Sequence, residues 1–177
     1  MSEPAKPDRQ PIVAGATPEE RDPTAWPDEV FEPIQRLLDD SLLHAGQAVR
    51  DTFDQISRRL DARQFVEMWN ACRLKAMSTT GPDGAPHIAP VHAEFVNGRL
   101  RSTIYGNAVR LRDIRRNPHV AFTTWAANGA TAIVYGQARV LPGSERETRP
   151  GATGRPRKTV ALEIDVQRIY AMKGREQ

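Results

Sequence analysis

Residues 101–120, "RSTIYGNAVRLRDIRRNPHV", change period halfway, and that change decides the fold. The opening residues alternate as a half-buried strand does, Gly106-Asn107 reads as a turn, and Leu111 and Ile114 then recur at helical spacing. Asn117-Pro118 ends the helix, because proline cannot continue it and pushes its predecessor out of the helical region. A strand that hands over directly to a short helix brings the helix's unpaired first-turn amides to the strand's end. Asn107 stands where an N-cap is wanted. Arg110 falls in the first turn, where a cation opposes the helix dipole unless an anion lies beside it. A phosphate resolves that conflict, held by Arg110, by the hydroxyls of Ser102 and Thr103, and by backbone amides near Gly106 and Asn107. Arg112, Arg115 and Arg116 lie away from Leu111 and Ile114 and read as a solvated face.

Working outward, the alternating pattern persists on both sides. Upstream are "CRLKAMSTT", the turn "GPDG", "APHIAPVHAEFV", the hairpin turn "NG" and "RLRSTIY". Downstream are "HVAFTTWA", the turn "ANGA", "TAIVYGQARVL" and, after a linker, "KTVALEIDVQRIYAM". Six short strands with one small helix after the third predict a mainly β protein with α elements. The architecture is a six-stranded antiparallel split barrel, since closure removes exposed edges. The linker "PGSERETRPGATGRP" is Gly/Pro-rich and basic and is expected to be a mobile loop. Residues 70–177 form this barrel domain.

Residues 29–69 read as a helical extension. Val49, Phe53, Ile56 and Leu60 are spaced to line one face of a long helix. Pro33 fits a first turn, Ala45-Gly46 is a break, and a short third helix is expected around residues 62–70. Residues 1–28, rich in Pro, Glu, Asp and Ala without apolar periodicity, are expected to be a flexible arm.

The 177 residues suit one domain, and no run approaches the roughly 18 apolar residues that span a bilayer. Without a signal peptide pattern the protein is expected to be soluble and cytoplasmic. The lone Cys72 cannot form an internal disulfide and reads as a small core hydrophobe rather than a nucleophile. The net charge of +3 hides an asymmetry: residues 1–96 hold 10 Lys/Arg against 16 Asp/Glu, and residues 97–177 hold 15 against 6. The basic half calls for an anionic ligand or the acidic half of another subunit. Its arginines are not interleaved with aromatics and no nucleic-acid motif accompanies them, so nucleic acid is not the expected partner. No nucleophile elbow, Walker loop, dinucleotide fingerprint or Cys/His metal spacing is present. His87 and His92, five apart on one strand, point to opposite faces and share no metal. His92 is the histidine best placed to protonate a substrate.

Residues 70–141 resemble the FMN-binding split barrel of the pyridoxamine 5′-phosphate oxidase-like superfamily. The matching features are an apolar strand, a D-G turn, "G-x-P-H-x-x-P-V", a strand ending in S-T, a basic residue entering a helix that ends in N-P, and "VYGQARV". The run "ALEIDVQRIYAMK" resembles the closing strand. The resemblance implies a homodimer with flavin sites at the subunit interface and a small-molecule substrate. It implies that Ala89, Pro90 and Val91 back the isoalloxazine ring, that Ser102 and Thr103 meet the ribityl-phosphate end, and that Arg110 binds the phosphate. Thr131 matches a position that contacts the flavin from the other subunit, and Trp125 is a candidate wall. The chemistry it implies is hydride transfer through the flavin, with the protein binding and orienting the cofactor. The oxidase's second-strand Arg and Lys are replaced by Ala89 and Glu94, its basic pair entering the helix by Val109-Arg110, and the tail lacks its substrate-binding Arg/His set. Pyridoxine 5′-phosphate oxidation itself is therefore not expected. Two alternatives stay open: a deazaflavin-dependent reductase, whose anionic tail would suit "RETRPGATGRPRK", and a non-enzymatic flavin- or haem-binding protein. Haem would draw an axial ligand from a histidine or from Met68, Met77 or Met172.

Overall fold

A computed structural model of the chain describes residues 16–148 and 157–175. The alternating segments form strands β1 (Lys75–Thr80), β2 (Pro86–Val96), β3 (Arg99–Tyr105), β4 (His119–Trp125), β5 (Thr131–Val140), β6 (Arg146–Thr148) and β7 (Arg157–Met172). All pairings are antiparallel, in the order β3-β2-β1-β4-β5-β7-β6. A further pairing of β3 with β7, from Leu100–Ile164 to Tyr105–Thr159, closes six of the strands into a barrel. β6 is the seventh strand. It lies inside the stretch expected to be a mobile loop, where it pairs with the start of β7; residues 149–156 lie outside the described residues.

Two glycines make this closure possible. Asn97 and Gly98 both take positive φ, 45° and 74°, the tight hairpin turn that suits a right-twisted strand pair. At Gly136 the β5–β7 register shifts, and a Cβ there would run into the Asp165 carbonyl. That bulge lets β7 bend from β3 toward β5.

Inward-facing residues of the strands meet α4 (Ala62–Ala71) in one core. Phe65, Val66 and Trp69 are fully buried beside Phe95, Phe122 and Met77. The Phe65 and Phe95 rings meet edge-on at 5.5 Å, and Trp69 meets Phe122 at 6.5 Å, both favourable quadrupole arrangements. Asp61 and Gln64 form a capping box at the start of α4. At its other end Lys75 is buried and donates from Nζ to the carbonyls of Trp69 (2.7 Å) and Cys72, a cationic C-cap. Burial pushes the Lys75 amine down to about 8. Cys72 is half-buried at this helix end, its carbonyl taken by Lys75.

The N-terminal part differs from expectation in two places. Residues 1–15 of the expected arm lie outside the described residues, but residues 18–30 are ordered. α1 (Pro18–Arg21) opens with a Thr17–Glu20 capping box, and Trp26 is buried against Phe31 at 5.5 Å. Arg21 grips Glu94 with two bonds of 2.9 and 3.1 Å. One tryptophan and one bidentate ion pair anchor a segment whose average composition is polar. The expected long helix is also broken. α2 (Glu32–Leu43) carries Pro33 in its first turn and α3 (Gln47–Phe53) ends where Phe53 packs on Tyr170. Ile56 follows in a separate 3-10 turn and is 84% exposed. Arg58 bonds the carbonyls of Lys173 and Gly129, which pulls the chain off the helical path. No helix among the described residues is long and apolar enough to cross a membrane.

Candidate functional site

The period of two along each strand sorts the predicted residues by face. Ser102 faces inward, fully buried, and its Oγ donates to the His92 carbonyl at 2.7 Å. It is committed to the barrel and cannot meet a phosphate from that side. Val91 is likewise buried in the core, and Ala89 lies opposite the buried Met77, so these two offer backbone rather than side chain. Pro90, Thr103, Trp125 and Thr131 all lie on the outer face. Register brings them together: Thr103 opposes His92 on β2, Pro90 opposes Ala76 and through it Thr123, and Trp125 opposes Thr131. Pro90 and His92 are two residues apart on the same face, about 7 Å.

Around Pro90 the outer face forms a groove of about 330 Å³ lined by Leu74, Ala76, Ile88, Ala89, Pro90 and Trp125. Ile88 is 70% and Trp125 67% exposed. Trp125 is therefore an open wall rather than a core residue. Large apolar side chains this exposed on one face mark a binding surface. Thr131 flanks the groove with its hydroxyl already donated to the Thr124 carbonyl at 3.0 Å.

At the other end of the face, α5 (Val109–Arg116) starts from Ala108, whose backbone is extended and whose side chain offers no cap. Asn107 is thus one residue too early to be the N-cap, and it is exposed. The Gly106 amide is also taken, by the Lys158 carbonyl at 2.9 Å. What remains of the expected socket is sharper. Thr103 Oγ1 and Arg110 Nε are both buried with no hydrogen-bond partner, two of three such side-chain atoms among the described residues. A buried donor left unmade costs about 1–3 kcal/mol, so each of the two calls for an acceptor. A guanidinium in the first turn of an uncapped helix and a strand hydroxyl without a partner are groups of the kind that hold a phosphate, and the residues present fit that group.

α5 is held in place by a polar cluster that the sequence reading did not find. Asp113, buried, accepts from Thr79 Oγ1 at 2.8 Å and from His87 Nδ1 at 2.7 Å, with Arg116 at 3.4 Å. Burial alone would raise the Asp113 carboxyl, but those bonds and the His87 and Arg116 charges hold it below the usual range. The signal was available: an Asp three residues after Arg110 falls on the helix face toward β1. His92 sits in the groove row with Nδ1 3.0 Å from the Arg73 carbonyl. A carbonyl can only accept, so Nδ1 is the donor there, which leaves Nε2 for other partners.

Beside Asn107, a second cavity of about 450 Å³ is lined by Arg115, Arg157 and Lys158, with Glu145. Arg157 lies 5.0 Å over the Tyr105 ring, two residues along β3 from Thr103. Among the described residues no three His, Cys, Asp or Glu side chains converge as a metal site.

The model of the family described as pyridoxamine 5′-phosphate oxidase matches residues 62–173, well over half the chain. No curated protein matches it. Among solved structures, a conserved hypothetical protein of Mycobacterium tuberculosis superposes with a TM-score of 0.56 at 16% identity, covering 67% of this chain and 88% of its own. A FAD-binding protein of Mesorhizobium loti gives 0.50 at 17% identity, covering 67% and 99%. At such identities these likenesses speak to the fold alone.

Proposed function

The chain belongs to the pyridoxamine 5′-phosphate oxidase family, and from that premise we propose that it binds flavin mononucleotide along the outer barrel face and acts as an oxidoreductase on a small organic substrate. The observation that carries the reading is the pair of orphaned buried atoms, Thr103 Oγ1 and Arg110 Nε. Arg110 and Thr103 hold the phosphate, and its charge removes the conflict between Arg110 and the helix dipole. Pro90, Ile88 and Trp125 wall the ring and exclude water from it. A bound flavin supplies hydride exchange with the substrate, so no protein nucleophile is required. His92, with its Nε2 free in the same row, is the group to hold or deliver a proton.

Glu94 narrows the substrate. It replaces a lysine of the oxidase pattern and is clamped by Arg21, so this position presents an anionic substrate with a paired carboxylate where the oxidase has a cation. The exposed Leu74, Ile88 and Trp125 suit a second copy of the chain, which would place two flavin sites at a homodimer interface. A reducing cytoplasm suits the lone Cys72.

A second reading has its own observation. The cavity lined by Arg115, Arg157 and Lys158 suits an anionic extension beyond the first phosphate, as a deazaflavin carries. Haem is less well served. Met77 is in the core and Met172 packs with Phe53 and Tyr170.

Titration with FMN, riboflavin, deazaflavin and haem, followed by absorbance and fluorescence, separates these readings. In Arg110→Ala, FMN affinity falls about 10- to 100-fold while riboflavin changes little, because only FMN presents the charge that Arg110 neutralises. Equal loss for both ligands refutes the socket.

A further inference from the structure

Helix α2 precedes residue 62, where the family match begins, and it packs on the barrel. It lies along β7 and leaves a cavity of about 620 Å³ between them, within the usual range for a small-molecule site. The lining is two-sided. Ile34 and Leu37 of α2 face Leu100, Ile164 and Val166 of the barrel across an apolar floor. The rim carries Arg99, Arg139 and Glu163. Glu163 is nearly buried and accepts from Arg99 Nη1 (3.2 Å), Arg101 Nε (3.3 Å) and Arg139 Nη2 (2.5 Å).

Cross-strand pairing explains part of this cluster. Arg101 and Arg139 sit directly opposite Glu163 on β3 and β5, which is the ordinary way for a sheet to pair charges. Arg99, two residues along β3 on the same face, reaches Glu163 as its diagonal neighbour, so three guanidiniums share one carboxylate. The rim itself carries Arg99 and Arg139 against Glu163 and the exposed Asp165, with Arg101 bonding Glu163 from outside the cavity. The side chains of Arg99 and Arg139 remain 65% and 60% exposed, so most of their N–H donors are unused. Glu163 therefore acts as a fixed post that holds two guanidinium forks beside an apolar trough.

We propose that this cavity binds a small amphipathic carboxylate, its head group bridged by Arg99 and Arg139 and its hydrocarbon body laid against Ile34 and Leu37. Planar guanidinium forks match a carboxylate's two oxygens. The trough rewards an apolar chain that inorganic anions lack, and the forks reward a charge that neutral apolar molecules lack. The site is independent of the flavin groove and stands whether or not the chain binds flavin.

The test is calorimetric titration of the full-length protein with decanoate, decanol and inorganic phosphate. Decanoate is expected to bind at least tenfold tighter than decanol, and phosphate to bind far more weakly than either. Arg139→Ala is expected to weaken decanoate about tenfold and leave decanol unchanged. Leu37→Trp, which fills the trough and leaves every charge in place, is expected to block both chains. Circular dichroism confirms that each variant is folded. Equal affinity for decanoate and decanol, no decanoate binding to the wild type, or decanoate binding that survives both substitutions would each overturn the proposal.

Discussion

Thr103→Val offers a prediction in which stability and function move in opposite directions. The Thr103 hydroxyl is buried on the outer face of β3 without a partner, and valine has nearly the same shape and a strong preference for strands. Removing an unpaired buried hydroxyl relieves part of a desolvation cost of about 1–3 kcal/mol. The ligand-free variant is thus expected to be more stable by about 1 kcal/mol, a rise of about 2–4 °C in Tm for a chain of this size. Its FMN affinity is expected to fall, because a hydrogen bond to a charged phosphate is worth about 1.5–3 kcal/mol, or about 10- to 150-fold. Riboflavin affinity should change less than about threefold, and Thr103→Ser should retain FMN binding. The assay pairs thermal unfolding of ligand-free protein with fluorescence titration of both flavins. A less stable ligand-free variant shows that the hydroxyl has a protein partner; equal weakening of FMN and riboflavin shows that it does not serve the phosphate. Either result refutes the reasoning.

Asp113→Asn removes the charge that His87, Thr79 and Arg116 surround, and should cost about 1–3 kcal/mol at pH 7. The Asp113 pKa is depressed in the folded protein, so its stabilisation is present above the unfolded value of 3.8 and lost as pH falls through the folded one. Urea unfolding from pH 7 to pH 3 should show the gap between wild type and variant closing below about pH 4; a gap that stays constant would show that the charge contributes nothing. Trp125→Ala should leave stability within about 0.5 kcal/mol, because the side chain is largely exposed. The same change should weaken flavin about three- to tenfold through lost ring contact, read by flavin fluorescence, and unchanged affinity removes Trp125 from the site.

What the sequence made legible was whatever repeats over several residues. β3 matched its alternating pattern to the residue, and α5 followed from Leu111, Ile114 and the Asn117-Pro118 stop, because both elements are patterned by one buried face. Single anchors were invisible to that reading. Trp26 and the Arg21–Glu94 pair fix a segment whose composition suggests a free arm, and Phe53 meeting Tyr170 ends a helix whose periodicity runs on to Leu60. At the site, parity was the neglected signal. Ser102 and Thr103 are neighbours on a strand, so only one could face a ligand, and the inward one is Ser102. The Asn107 cap missed by one residue because turns set helix starts only loosely from sequence. The orphaned Thr103 and Arg110 atoms had no sequence signal, since a missing partner exists only once the chain has folded.

The closing strand sets the order in which the protein can be made. β7 alone completes the barrel, pairing with β3 across about sixty residues of chain and with β5 on its other side. While a ribosome is still adding residues 157–172, the five barrel strands already made, β1 to β5, stand as an open sheet with β3 and β5 as bare edges. Those edges are templates for a neighbouring nascent chain. Closing a loop of that length is also slow compared with forming the β2–β3 hairpin. Yield is therefore governed by how soon β7 arrives relative to encounters between nascent chains, and making fewer chains at once should favour the folded product over aggregate.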